Sequence, residues 1–249
     1  MKYSAALFCA GGLVIGLVIG FSIANAISRN EINQIRTVTE LKPATPPEKS
    51  PVLNDKTNAD VLSEEEIRQA VARADSNKND IDLQRKIGLA LYQYAKMQRQ
   101  IDFLPAIREI LQRVKIRSSE DFEISAALGE ISFLIGQEPG KSEYLSESRK
   151  YYETALKLKP ENLELRTDLG STYLFANPPE PRQAIAEYLQ VIRKKPLDER
   201  ALQFLATALL MTENTAEAEK RIAELRQVNP ENSALPDLSV QLAQKKLKN

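Results

Sequence analysis

The chain has 249 residues, 43% hydrophobic and 27% charged, with 34 basic side chains against 34 acidic ones. That balance leaves no positive excess to neutralise phosphates, so nucleic acid is not an expected partner. His is absent and Cys9 is the only cysteine, which removes the usual nitrogen and sulfur metal ligands, the commonest general base and any internal disulfide. The expectation is a chain that is not an enzyme and holds no cofactor or metal.

Residues 1–28 form the first segment. From Ala5 to Ile27 there are 23 residues without a charge, enough to cross roughly 30 Å of hydrocarbon at about 1.5 Å per helical residue. This predicts one transmembrane helix and lipid contact. Read as a secretory leader, the same stretch offers Ala24-Asn25-Ala26 as a cleavage site, but its apolar run exceeds the usual ~7 to 15 residues. Gly12, Gly16 and Gly20 recur every fourth residue, so they share one helix face where a second copy could approach, which makes the chain a candidate homo-oligomer. Arg29, Arg36 and Lys42 follow the helix and Lys2 precedes it. That count favours a cytosolic body, whereas a short leading segment before a single anchor favours export of the large domain. The expected location is a bacterial inner membrane, single-pass, with the body in the periplasm.

Residues 29–62 lose helical periodicity and gather Pro43, Pro46, Pro47 and Pro51. Proline blocks helix and favours extended, solvated chain, so this segment reads as a disordered linker. Order resumes over 63–249. Ser63 followed by Glu66 has the form of a capping box, and Ile67, Ala70, Val71 and Ala74 then recur at helical spacing. The carboxylate runs Glu64-Glu65-Glu66 and Glu217 with Glu219 read as solvated helix faces.

The body is repetitive. Pro160, Pro196 and Pro230 close three helix pairs, 36 and 34 residues apart. In the pair over 163–198, Leu165, Leu169, Gly170 and Tyr173 mark a first helix, and Ala184, Tyr188 and Val191 a second. The pair over 199–232 repeats the offsets with Leu202, Leu205, Ala206 and Leu209, then Ala218, Ile222 and Leu225. The pair over 122–162 has Leu128-Gly129, then a lengthened turn at Glu138-Pro139-Gly140-Lys141, then Tyr152 and Ala155. Over 81–119 a divergent pair has Ile87-Gly88, but Pro105 stands where its second helix starts. A helix over 235–247, with Leu238, Val240, Leu242 and Leu247, is expected to cover the end of the stack.

A Leu-Gly or Leu-Ala doublet in one helix, Ala and an aromatic in the next and a closing Pro resemble tetratricopeptide repeats. The resemblance spans about 150 residues and implies an all-α fold, an α-solenoid of antiparallel helix pairs. It also implies that first helices line a concave face binding a protein or peptide. Carried over by position, the inner wall is Arg85, Leu89 and Tyr92, then Ala126, Glu130 and Phe133, then Thr167, Ser171 and Leu174, then Gln203, Thr207 and Leu210. Only Arg85 matches the cationic residues with which some relatives clamp a terminal carboxylate, so that ligand is disfavoured. The expected role is a membrane-anchored scaffold in assembly or maturation of an envelope complex. Two alternatives stay open: an apoprotein-binding factor like the membrane-anchored repeat proteins of cytochrome c maturation, and a structural module oligomerised through the glycine face.

Overall fold

The computed structural model describes residues 61–247. The expected anchor with Gly12, Gly16 and Gly20, and nearly all of the linker, lie outside the described residues. Among the described residues there are ten α-helices, one short 3-10 turn and no strand, and no helix is long and apolar enough to cross a membrane. The chain forms two compact units divided between Ser119 and Glu120.

The first unit contains α1 (Glu64–Ser76), α2 (Ile81–Gln98), the 3-10 turn Ile101–Phe103 and α3 (Leu104–Arg117). The capping box forms as its residues suggest: Ser63 Oγ accepts from the Glu66 N–H, and the Glu66 carboxylate accepts from the Ser63 N–H at 2.8 Å. Ile67, Ala70 and Ala74 then turn inward, and α1 packs on both α2 and α3. Two polar devices hold the unit. The Leu62 N–H donates to Tyr94 Oη (2.8 Å), and that hydroxyl donates to the Leu62 carbonyl (3.1 Å). Buried Gln84 donates to the carbonyls of Ala74 (2.6 Å) and Asn77 (3.0 Å) and accepts from Arg113 Nε (2.8 Å), while Arg113 also pairs with Asp75. Every polar atom of that buried amide is thereby satisfied, as burial demands.

The second helix of this pair starts at Leu104. Pro105 lies in its first turn, where a missing N–H costs nothing because that donor has no intrahelical partner.

The second unit contains α4 (Phe122–Gly136), α5 (Glu143–Leu158), α6 (Leu163–Leu174), α7 (Pro181–Lys194), α8 (Glu199–Met211), α9 (Thr215–Val228) and α10 (Leu235–Lys246). Consecutive helices pack in pairs, α4 on α5, α6 on α7 and α8 on α9. Small residues set the closeness of each pair. A Cβ on Gly129 would lie 2.5 Å from the ring of Tyr152, and one on Gly170 would lie 2.5 Å from that of Tyr188. Both tyrosines are wholly buried. In the next pair Ala206 and Ile222 hold the same places, again buried. The long turn after α4 uses Gly140 at φ 80°, a backbone conformation that side chains disfavour.

The first helices also touch one another, α4 with α6, α6 with α8 and α8 with α10. Contact of that extent does not join α5 to α7 or α7 to α9, so the first helices form the tighter, inner layer of this unit. The closing helix departs from expectation. Leu235 and Leu238 cover the stack, whereas Val240 is 55% and Leu247 87% exposed, so these two do not contribute to covering it.

Candidate functional site

Three inner helices of the second unit begin with an acid or amide that accepts from a backbone N–H three residues on: Asp121 for α4, Asn162 for α6 and Asp198 for α8. Such caps satisfy otherwise orphaned amides and fix where each helix starts, hence which residues face inward. On α4, Ala126, Glu130 and Phe133 are half-buried; on α8, Gln203 and Thr207 are half-buried. These five side chains form the accessible part of the expected inner wall in the second unit.

The middle helix behaves differently. Thr167, Ser171 and Leu174 are 2%, 1% and 4% exposed, and Leu210 on α8 is also buried. Those four pack inside the unit, where a ligand does not reach them. The hydroxyls of α6 tolerate burial because each bonds within its own helix: Thr167 to the Leu163 carbonyl at 3.1 Å and Ser171 to the Thr167 carbonyl at 3.0 Å. In the first unit, Arg85 and Leu89 are half-buried and Tyr92 is buried.

An aromatic path that spacing did not single out crosses the second unit. Phe133 meets Phe175 edge-on with ring centres 6.0 Å apart, Phe175 meets Phe204 in the same way at 6.0 Å, and Phe204 stacks on Tyr188 at 5.9 Å. Phe133 and Phe175 are half-buried, so this path reaches the inner surface from the core. Aromatic pairs of this geometry contribute ~0.5–1.5 kcal/mol beyond their burial.

Two ion pairs link successive repeats and a third joins the two helices of one repeat. Arg200 of α8 binds Asp168 of α6. Arg149 of α5 pairs with Glu180 at 2.9 Å and lies 3.9 Å from the centre of the Tyr173 ring. Arg166 of α6 pairs with Glu187 of α7 at 2.9 Å. Desolvation first, and then the nearby Asp168 and Glu130 carboxylates, push the Tyr152 phenol well above its ordinary value. Burial raises Tyr188 likewise, opposed by the hydrogen bond with Ser171. These phenols are structural: each sits against its glycine.

At the far end, Asn232 donates to Glu199 (2.7 Å) and to Gln203 Oε1 (3.1 Å), while its own oxygen accepts from the Ala234 N–H (2.9 Å). This fixes the orientation of the Gln203 amide on the inner face. Among the described residues no group of His, Cys, Asp or Glu could hold a metal ion.

No protein-family model and no curated protein matches the chain. Solved structures do. A mutant of MamA superposes with a TM-score of 0.51 at 13% identity, over 80% of this chain and 98% of that one. The fold is a tetratricopeptide-like helical array. A thermophilic TPR protein of Thermus thermophilus gives 0.49 at 19% identity, over 73% of this chain and 89% of that one. A further MamA structure gives 0.48 at 18%, over 74% and 90%.

Proposed function

We propose that the chain is a membrane-anchored, non-enzymatic scaffold whose inner helix layer holds an extended or helical segment of a protein partner during assembly or maturation of an envelope complex. The observation that carries this reading is the inner surface itself. The first helices line up side by side, and they present Phe133, Ala126, Glu130, Gln203 and Thr207 part-exposed on one surface. A surface of mixed apolar and amide character suits side-chain pockets and main-chain hydrogen bonds. The 23 uncharged residues from Ala5 to Ile27 and the prolines after them support an anchor and a spacer. The periplasmic placement rests on the short leading segment and on the ease with which long domains cross.

The test is partner recovery with the full chain purified from membranes. Thr207→Arg places a long cation on the inner surface, and Ala223→Arg does the same on exposed α9. The expected result is loss of specific co-purifying proteins from the first variant and their retention by the second. Equal recovery from both would remove the inner face as the binding surface.

A further inference from the structure

We infer that copies of this chain associate head to tail, α1 of one copy docking on α10 of the next to complete a repeat. The second helix α5 leads into α6 through residues 159–162, and α7 leads into α8 through 195–198. In both, the first turn residue has nearly the same backbone (φ −134°, ψ 79° at Lys159; φ −135°, ψ 82° at Lys195). The fourth residue's N–H donates to the first's carbonyl, and its side chain caps the next helix. Helix α1 leads into α2 through a turn of the same length, 77–80, with Asn77 at φ −126°, ψ 46°, the Asp80 N–H on the Asn77 carbonyl at 3.1 Å, and Asp80 as the cap. By this local grammar α1 is the second helix of a pair, and among the described residues no first helix accompanies it.

The other end is its complement. Helix α10 touches α9 and α8 as α8 touches α7 and α6, so it occupies the place of a first helix. Pro236, Val240, Ala243 and Leu247 recur along it at intervals of four, three and four residues, and all four are exposed. That spacing makes one face, and Val240 falls 34 residues after Ala206, at the position that meets a second helix in the earlier pairs.

Charge selects the occupant. Two helices of a repeat run antiparallel, so the C-terminal end of a first helix lies beside the N-terminal end of its second. The last turn of α10 carries Lys246 beside the exposed stripe and Lys245 on the side turned to Glu213, so the end of the helix is cationic, and the first turn of α1 carries Glu64 and Glu65. Their present partners are exposed surface pairs, Lys245 with Glu213, Lys246 with Glu219 and Glu64 with Arg68, which exchange at little cost. The contact joins two different surfaces, so it propagates rather than closing as a dimer.

The experiment measures the mass of the full chain in detergent solution against concentration, for the natural sequence and for two charge reversals, Lys245→Glu with Lys246→Glu, and Glu64→Lys with Glu65→Lys. Circular dichroism checks that each variant stays folded. The natural chain gains mass with concentration, each variant alone associates about tenfold or more weakly, and an equimolar mixture of the two recovers association because each reversed end now meets its complement. A natural chain of constant mass, a variant that associates like the natural chain, or a mixture that fails to recover overturns the proposal. Association through the glycine face alone gives the second of these results.

Discussion

Replacing Gly170 by alanine adds one methyl group where the helix pair is closest. That Cβ would lie 2.5 Å from Tyr188 Cε1 and 2.9 Å from Cδ1 and Cζ, against an ordinary carbon separation of about 3.5–4.0 Å. The ring must retreat by about 1 Å. It has little room: its far face stacks on Phe204, its hydroxyl lies 3.2 Å from Ser171 Oγ, and the side chain is wholly buried. Overpacking of this kind costs ~1–3 kcal/mol, whereas alanine's preference for helix over glycine returns ~1 kcal/mol. The net expectation is destabilisation by up to about 2 kcal/mol, read as a lower urea midpoint by far-UV circular dichroism. In a Tyr188→Ala background the obstruction is gone, and the same Gly170→Ala change is expected to stabilise by up to ~1 kcal/mol. If Gly170→Ala stabilises the natural chain, the glycine does not set the helix spacing and the packing argument fails.

Tyr94→Phe removes both hydrogen bonds to Leu62 and leaves a buried amide and carbonyl unpaired, so the first unit should lose about 1–3 kcal/mol, with faster amide exchange at Leu62 as the check. Gln84→Leu removes one hydrogen bond each from the Ala74 and Asn77 carbonyls and from Arg113 Nε, which keep their other partners; a loss of about 1–2 kcal/mol is expected in urea melts, and a neutral result would deny the network its role. Tyr152 and Tyr188 have folded values raised above the usual phenol. Their stabilisation is therefore complete below pH about 10, the unfolded value, and falls as pH rises above it, because unfolding releases their protons. Tyr152→Phe with Tyr188→Phe should flatten that alkaline decline in the unfolding free energy. Arg99 ends α2 with φ 56°. Arg99→Gly relieves a left-handed conformation that costs a side chain ~1 kcal/mol, so its melting temperature should not fall.

The three later helix pairs are legible because their packing depends on residues that stand out in a sequence. A glycine or alanine opposite a tyrosine or isoleucine, followed by a proline, is a steric requirement that recurs at a fixed distance. The first pair hides the same design, since the residue facing Gly88 is Leu111, an aliphatic that no pattern distinguishes from its neighbours. Helix α1 carries none of that signature, and only the four-residue turn ending in Asp80 reveals its place. The inner wall is half legible. Thr167 and Ser171 read as surface residues by polarity, yet their hydroxyls bond to carbonyls of their own helix and so survive burial. The aromatic path from Phe133 to Tyr188 joins residues on different helices, and such a juxtaposition follows from packing that one-dimensional spacing does not encode. Val240 and Leu247 look like core in the sequence because helical periodicity marks a face without saying what covers it.

The central claim is that partners bind the inner helix layer. Its most direct test places a photoreactive benzoyl-phenylalanine singly at residues 133 and 203 on that layer and at residues 150 and 223 on exposed α5 and α9, in the full chain in cells, followed by irradiation. Discrete covalent adducts are expected from 133 and 203, and none from 150 and 223. Adducts of the same partner from the outer positions, with none from the inner ones, would contradict the claim.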